Sequence, residues 1–359
     1  MRPHHYPDLE TPFPGNASED VAFERALKIG LANVHTLADE VFADLDEHVY
    51  GVWWWAPQCS EPGRVRNSDH LWKCIHGIAW NLVEARLVAE QVHLGLETER
   101  EFVNAVTNIA GQIEAAPRLR KNALELLSAR HTGMNISSFF VKLGSALDCL
   151  ASAIAGVTAL GGTFFAGLPD VRSRLKDLKG GSPGRVLQID FRTKFEALIT
   201  DEKIGPADWH DWVQQYRNMV VHRARRQIFA VSRMRDARVE GVSVLTAQPG
   251  LSDMEIFLMK EPLLLSEPVE CTIEGAFKST VDLAEATCAL LLDVWRQRRA
   301  DPAILAQPDD WPPVDGKPKR LAKFVGYAPK TLVVPDTLRQ VPPELARRLR
   351  AAGLLLTQT

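Results

Sequence analysis

No stretch of this chain approaches the roughly 18 unbroken apolar residues that a membrane span requires. The longest candidate, around Leu143 to Leu160, is interrupted by Ser145, Asp148 and Ser152. The N-terminal Met1-Arg-Pro-His-His has no apolar signal core, so export is not expected. Cysteine is sparse and odd in number: five in 359 residues, none in C-x-x-C spacing. Cys74, Cys149 and Cys288 sit in helix-like apolar stretches and read as small core residues, which predicts a reducing, cytoplasmic compartment. Charge of one sign is also missing. Lys and Arg total 42 against 45 Asp and Glu, a net charge of -3 that excludes a polycationic nucleic-acid wrapper. Any nucleic-acid contact must come from a local patch.

Several catalytic signatures are absent too. There is no G-x-x-x-x-G-K-[ST], and Gly180-Gly-Ser-Pro-Gly184-Arg lacks both the lysine and a preceding strand. Neither a G-x-S-x-G elbow nor H-E-x-x-H occurs. His70, Cys74 and His76 lie close in sequence, yet a metal site needs three or four ligands and no second cluster accompanies them. Neither a metal nor a cofactor is expected.

What remains is a soluble, helix-rich pattern, 46% apolar and 24% charged, long enough for about two domains. Ser18-Glu-Asp opens a helical periodicity (Phe23, Ala26, Leu27, Leu31, Val34, Leu37) running to about His48. Trp53-Trp54-Trp55 and Pro62-Gly63 read as a loop. A second helix is expected from Ser68 to about His93, a third from Glu97 to Arg130 broken at Pro117, and a fourth from Asn135 or Ser137 to Gly161-Gly162. A short helix over Arg192–Ile199 precedes one running from Pro206 to about Arg226. β-like runs at Ile228, Val239–Leu245 and Met254–Leu265 predict a small antiparallel insertion at about 227–265. A last helix spans about Ile273 to Arg299. The expected fold is mainly α: a helical bundle with that β insertion and an extended Pro-rich C-terminal tail. Its regions are 1–131 (N-terminal helices), 132–300 (the bundle domain) and 301–359 (a basic tail).

One helix stands apart, Trp209-His-Asp-Trp-Val-Gln-Gln-Tyr-Arg217-Asn218-Met-Val-Val-His222. At 100° per residue, Trp209, Trp212, Val213, Tyr216, Met219 and Val220 share an apolar face. Asp211, Gln214, Gln215, Asn218, His222 and Arg225 form the opposite, polar stripe. Asn218 and His222 are one turn apart, with Arg217 at the edge of the stripe. An imidazole that trades protons near neutral pH, beside guanidinium groups that bind phosphate oxygens, is the equipment for metal-free phosphodiester cleavage. With 28 Arg, nine Asn and 10 His in the chain, an R-N-x-x-x-H pattern arises by chance only roughly 0.02 times. Arg64 and His70 fit a looser R-x5-H pattern, but Val65 rather than a polar residue follows the arginine.

Arg217-Asn218-Met-Val-Val-His222 resembles the R-[polar]-x-x-x-H signature of the HEPN superfamily, the α-helical higher-eukaryote and prokaryote nucleotide-binding domains. The helix with Phe139-Phe140, Leu143 and Asp148 resembles the one that precedes this motif in that superfamily. The resemblance covers about residues 134–299. It implies a metal-independent endoribonuclease, acting as a dimer on RNA by attack of a ribose 2′-OH on the adjacent phosphate. It also implies toxin–antitoxin or antiviral-defence settings, with an antitoxin or defence-complex protein as partner. In that picture Arg217 holds the scissile phosphate, His222 is the acid–base residue, Asn218 positions one of them, and Arg223, Arg225 and Arg226 bind substrate. Because one His per chain cannot be acid and base together, a homodimer would place two His222 side chains at one phosphate. Two other readings stand beside it: a catalytically inactive HEPN-like RNA- or protein-binding module, and a helical scaffold protein. This chain departs from the compact pattern in its leading helices, its β insertion and its tail.

Asp148 shares the stretch Ile136–Leu160 with only one other charged residue, Lys142. A carboxylate in apolar surroundings needs a partner, so a supporting role toward an Arg or His of the motif helix is expected; a rim position facing solvent is the other choice. The three tryptophans at 53–55 could stack bases, although packing against helices explains them more simply. Arg118, Arg120, Lys121 and Arg130 are basic enough for a backbone-binding patch, or simply a solvated face.

The tail holds nine of the chain's 22 prolines, and residues 308–359 carry nine Lys or Arg against five acids. Such a segment is unlikely material for a core; only Leu345 and Leu349 of its last stretch, Glu344–Ala352, share an apolar face. Truncation near Pro308 should therefore leave thermal unfolding of the body nearly unchanged, and a drop of more than about 10 °C would show that the tail belongs to the core.

Overall fold

In the computed structural model, the described residues are 28–44, 61–110, 123–160, 167–222, 229–235, 238–247, 264–301 and 304. They form a mainly helical protein with seven helices: α1 (Ala32–Asp44), α2 (Glu61–Ala110), α3 (Ala123–Val157), α4 (Leu168–Lys176), α5 (Pro183–Ile199), α6 (Trp209–His222) and α7 (Val269–Ala300). Between α6 and α7 lie strands β1 (Phe229–Arg235), β2 (Arg238–Ala247) and β3 (Leu264–Pro268) in an antiparallel sheet of order β1-β2-β3.

Three helices are longer than expected: α5 begins at Pro183 rather than at Arg192, and α2 and α3 each run through an expected break. α2 begins at Glu61, because a proline in the first turn loses no hydrogen bond it would have made. It then passes through His93, where a break was expected. Its buried side chains recur as Leu71, Ile75, Ile78, Leu82, Ala85, Ala89, Val92 and Leu96, a strict alternation of four and three that keeps one seam inward. α3 fuses the end of the expected third helix with the fourth. Asn135 and Ser137 are therefore interior residues, and Ser137 donates its hydroxyl to the Gly133 carbonyl rather than capping. The expected boundary at 131/132 falls inside this helix.

The chain divides into two interleaved units, Met1–His35 with Gly77–Leu150 and Thr193–Ala289, and Thr36–His76 with Ala151–Arg192 and Leu290–Thr359. In the first unit α2 and α3 run antiparallel at close range. A methyl group at Gly77 would come within 2.8 Å of Cys149 Sγ, one at Gly95 would run into the Thr132 hydroxyl, and Glu84 pairs with Lys142 between them. Each pair of partners has nearly the same sum of residue numbers, as an antiparallel register demands. α7 adds a third wall. There Glu274 accepts from Arg86 at 3.0 Å and lies 2.9 Å from His93 Nε2, and the His93 contact, with help from Arg86, holds its carboxyl below the usual glutamate range. Glu285 of α7 accepts from the backbone N–H groups of Asn33 and Val34, so α1 is capped from 252 and 251 residues away in sequence. Residues 18–27, including Ser18, lie outside the described residues.

The second unit is organised by the end of α3. The helix closes not at Gly161-Gly162 but at Ala159, whose φ is 51°, with Leu160 N–H donating to Ala155 O and Ala159 N–H to Gly156 O. That pair of bonds is the Schellman closure, ordinarily built on glycine. Side chains satisfy the remaining carbonyls: Gln188 donates to Thr158 O at 2.7 Å, and the buried Arg298 donates to Val157 O at 2.8 Å. Burial pulls the Arg298 guanidinium below the ordinary arginine range. The chain end of α7 grips α1, with Trp295 Nε1 donating to Asp44 at 2.7 Å and Arg299 to the same carboxylate at 3.2 Å.

Leu127–Val157 is the one helix segment among the described residues long and apolar enough to cross a membrane, and it is mostly buried within the protein, as a core helix should be. Tail residues 305–359 and the Trp53-Trp54-Trp55 run lie outside the described residues.

The left-handed conformation at Ala159 costs an L-residue about 1 kcal/mol that glycine does not incur. Ala159→Gly should raise unfolding free energy by up to that amount in urea titration, and a loss of stability would show that the Ala159 methyl contributes more by packing than it costs in strain.

Candidate functional site

The motif helix α6 is seated by its aromatic residues. Trp209, Val213, Tyr216 and Met219 are buried, while Trp212 and Val220 are half-buried. Phe140 of α3 fits among them, its ring centroid 4.3 Å from that of Tyr216 and 5.4 Å from that of Trp212. The apolar face lies where the 100° spacing put it. The polar stripe does not survive intact. Gln215 and Asn218 are exposed, but Gln214 is buried, as is His210. Gln214 turns toward α3 and donates to Asp148 Oδ1 at 3.4 Å.

Asp148 is the centre of this arrangement. Its second oxygen receives the Arg217 guanidinium, with Nη2 at 3.0 Å from Oδ2. Both side chains are partly open to solvent, 26% for Arg217 and 33% for Asp148, so the pair is neither dry nor fully screened. The other guanidinium terminus, Nη1, donates to Asn218 Oδ1 at 3.1 Å. Nε is buried and has no hydrogen-bond partner among the described residues. The aliphatic stem of Arg217 crosses α3 directly over Gly144: a methyl group there would lie 2.7 Å from Arg217 Cγ and 3.0 Å from Cβ. Gly144 and Asp148 are one turn apart on α3 and form a seat, a gap for the stem and a carboxylate for the head.

His222 is the last residue of α6, one turn beyond Asn218. Its side chain, and all of Arg223, Arg225 and Arg226, lie outside the described residues. Arg118, Arg120 and Lys121 do so as well, and Arg130 is exposed on α3. The His70, Cys74 and His76 trio does not converge. His70 Nε2 lies 3.4 Å from Cys74 Sγ, whereas His76 packs edge-on against Trp72 with centroids 4.4 Å apart. Burial raises the Cys74 thiol, which makes it a poor metal ligand and nucleophile. Among the described residues no group of three or more His, Cys, Asp or Glu is placed to hold a metal ion.

Sequence reasoning missed Gly144 and Gln214. A glycine four residues before the lone acid of the apolar stretch Ile136–Leu160 was the available signal for the first. Nothing in an amphipathic projection distinguishes Gln214 from Gln215, because the projection does not know which polar side chain will find a carboxylate beneath it.

The chain matches no family model, no curated protein and no solved structure.

Because the Asp148–Arg217 pair is half-exposed, its coupling in a double-mutant cycle (Asp148→Asn, Arg217→Met and both together, followed by urea unfolding) should be about 1 kcal/mol. Additive losses would mean the contact contributes nothing to the fold.

Proposed function

We propose that this chain is a HEPN-like, metal-independent endoribonuclease that cleaves RNA by attack of a ribose 2′-OH on the neighbouring phosphate. The observation that carries this reading is the joined pair at the surface of α6: the Arg217 guanidinium, one terminus bonded to the exposed Asn218, a single turn ahead of His222. Guanidinium stabilises the charge that grows on the phosphate oxygens as the 2′-oxygen attacks. Imidazole takes the 2′-OH proton or returns one to the departing 5′-oxygen. Since one His222 serves one of these roles at a time, the acting species is a homodimer with two α6 helices at one phosphate. Arg223, Arg225 and Arg226 extend the basic edge along the RNA backbone. The setting is a cytoplasmic toxin or antiviral-defence effector, with an antitoxin or defence-complex protein as its natural restraint.

One observation favours a second reading, a catalytically inactive RNA- or protein-binding module. Arg217 is already paired with an acid of its own chain, which offsets part of the positive charge offered to a ligand.

Catalysis separates the two. Incubated with total RNA in EDTA, the purified protein should cleave, and His222→Ala should cut the rate by roughly 10²-fold while leaving the fold intact. Arg217→Ala should do the same, with Arg217→Lys recovering only part, because a point charge lacks the planar fork. Wild-type rates from His222→Ala, or complete inhibition by EDTA, would sink the nuclease reading.

A further inference from the structure

Resting on the RNA reading of this site, we propose that Asp148 is the positioning residue for Arg217, and that with Gly144 it sets the guanidinium to receive one RNA phosphate end-on. Three features lead there. Nε is buried, so the side edge of the fork, which most often grips an oxyanion, is closed to solvent. Arg217 meets Asp148 through Nη2 at 3.0 Å, so the phosphate is assigned to the terminal Nη1–Nη2 end of the group, the edge away from buried Nε. Nη1 in turn holds Asn218 by its carbonyl oxygen, which leaves the exposed carboxamide's N–H groups for an outside acceptor. The result is a short donor row, from guanidinium end to carboxamide, matched to two oxygens of one phosphate.

Asp148 is itself restrained. Gln214 donates to its other oxygen, so the carboxylate cannot rotate away without leaving a buried amide unpaired. Gly144 fixes the height of the row. With any larger residue there, the Arg217 stem must rise off α3, and the head must leave Asp148 or tilt.

This role makes a prediction opposite in sign to simple electrostatics. If the carboxylate merely neutralised Arg217, Asp148→Asn would remove a negative charge near RNA and tighten binding. A positioning residue gives the reverse: Asp148→Asn should weaken binding roughly 10-fold, since misplacing a clamp by about an ångström is enough to lose that much. The probe is a short 2′-O-methyl RNA, which binds but cannot be cut, titrated by fluorescence anisotropy, with circular dichroism confirming the fold of each variant. Gly144→Ala, which changes no charge, should weaken binding to a similar degree and carries the same test if Asp148→Asn does not fold. Adding Asp148→Asn to Arg217→Ala should cost nothing further, because the residue it positions is gone.

Unchanged or tighter binding by folded Asp148→Asn, with Arg217→Ala still weakened, would overturn the positioning role and leave the RNA reading standing. The expected binding pattern combined with an unmodified RNA that is never cut would support positioning and remove the nuclease reading. No RNA binding by the wild type, or wild-type binding by Arg217→Ala, would overturn both.

Discussion

The burial of α3 is the constraint on which the described structure depends. From Ile136 to Val157 most of its large apolar side chains, Ile136, Phe139, Phe140, Leu143, Leu147, Leu150, Ile154 and Val157, are at most 1% exposed. A helix apolar on so many sides has no stable place in water and must be surrounded. Two consequences follow in the backbone. Neighbours must come close, which is why Gly77, Gly95 and Gly144 occur where α2, α3 and α6 approach one another with no room for a methyl group. The helix must also end without exposing carbonyls to an apolar interior, and Gln188 and Arg298 are spent on that purpose.

The candidate site is a by-product of the same constraint. An apolar helix can tolerate a carboxylate only where a cation meets it, and Asp148 meets Arg217 where Gly144 lets the arginine lie flat. Removing either partner leaves the other partly buried without its counter-charge, Asp148 keeping Gln214 and Arg217 keeping Asn218. The ion pair is therefore expected on grounds of folding alone. Chemistry enters only through what the pair leaves over, namely the guanidinium end and the exposed carboxamide of Asn218.

Much of this was legible in the sequence, because it rests on periodicity. The seat of α6 follows from Trp209, Val213, Tyr216 and Met219 at helical spacing, and the lone Asp148 in an apolar run announced that a cation must come to it. What was illegible depends on partners remote in sequence. The N–H groups at the start of α1 are met by Glu285, and no local rule points to a side chain in another helix. The fusion of two expected helices into α2, through His93-Leu-Gly95, reflects packing against Thr132, which overrides glycine's preference to end a helix. Gly161-Gly162 looked like a terminator, yet Ala159 takes the left-handed position because its carbonyl neighbours already have Gln188 to bond.

The relation between Asp148 and Arg217 also shows why an internal salt bridge is a poor argument against function. A guanidinium with no internal partner would sample many rotamers, and ordering it on a ligand would cost on the order of 2 kcal/mol of side-chain entropy. Here that ordering is completed on folding: the stem is pinned over Gly144, Nε is shut inside, and one terminus is held by a carboxylate that Gln214 keeps in place. The acid lowers the net charge of the site but fixes the direction in which the remaining N–H groups point. For a site that must recognise an oxyanion more strongly as charge develops on it than in the ground state, fixed direction is worth more than net charge, because uniform attraction binds both states alike.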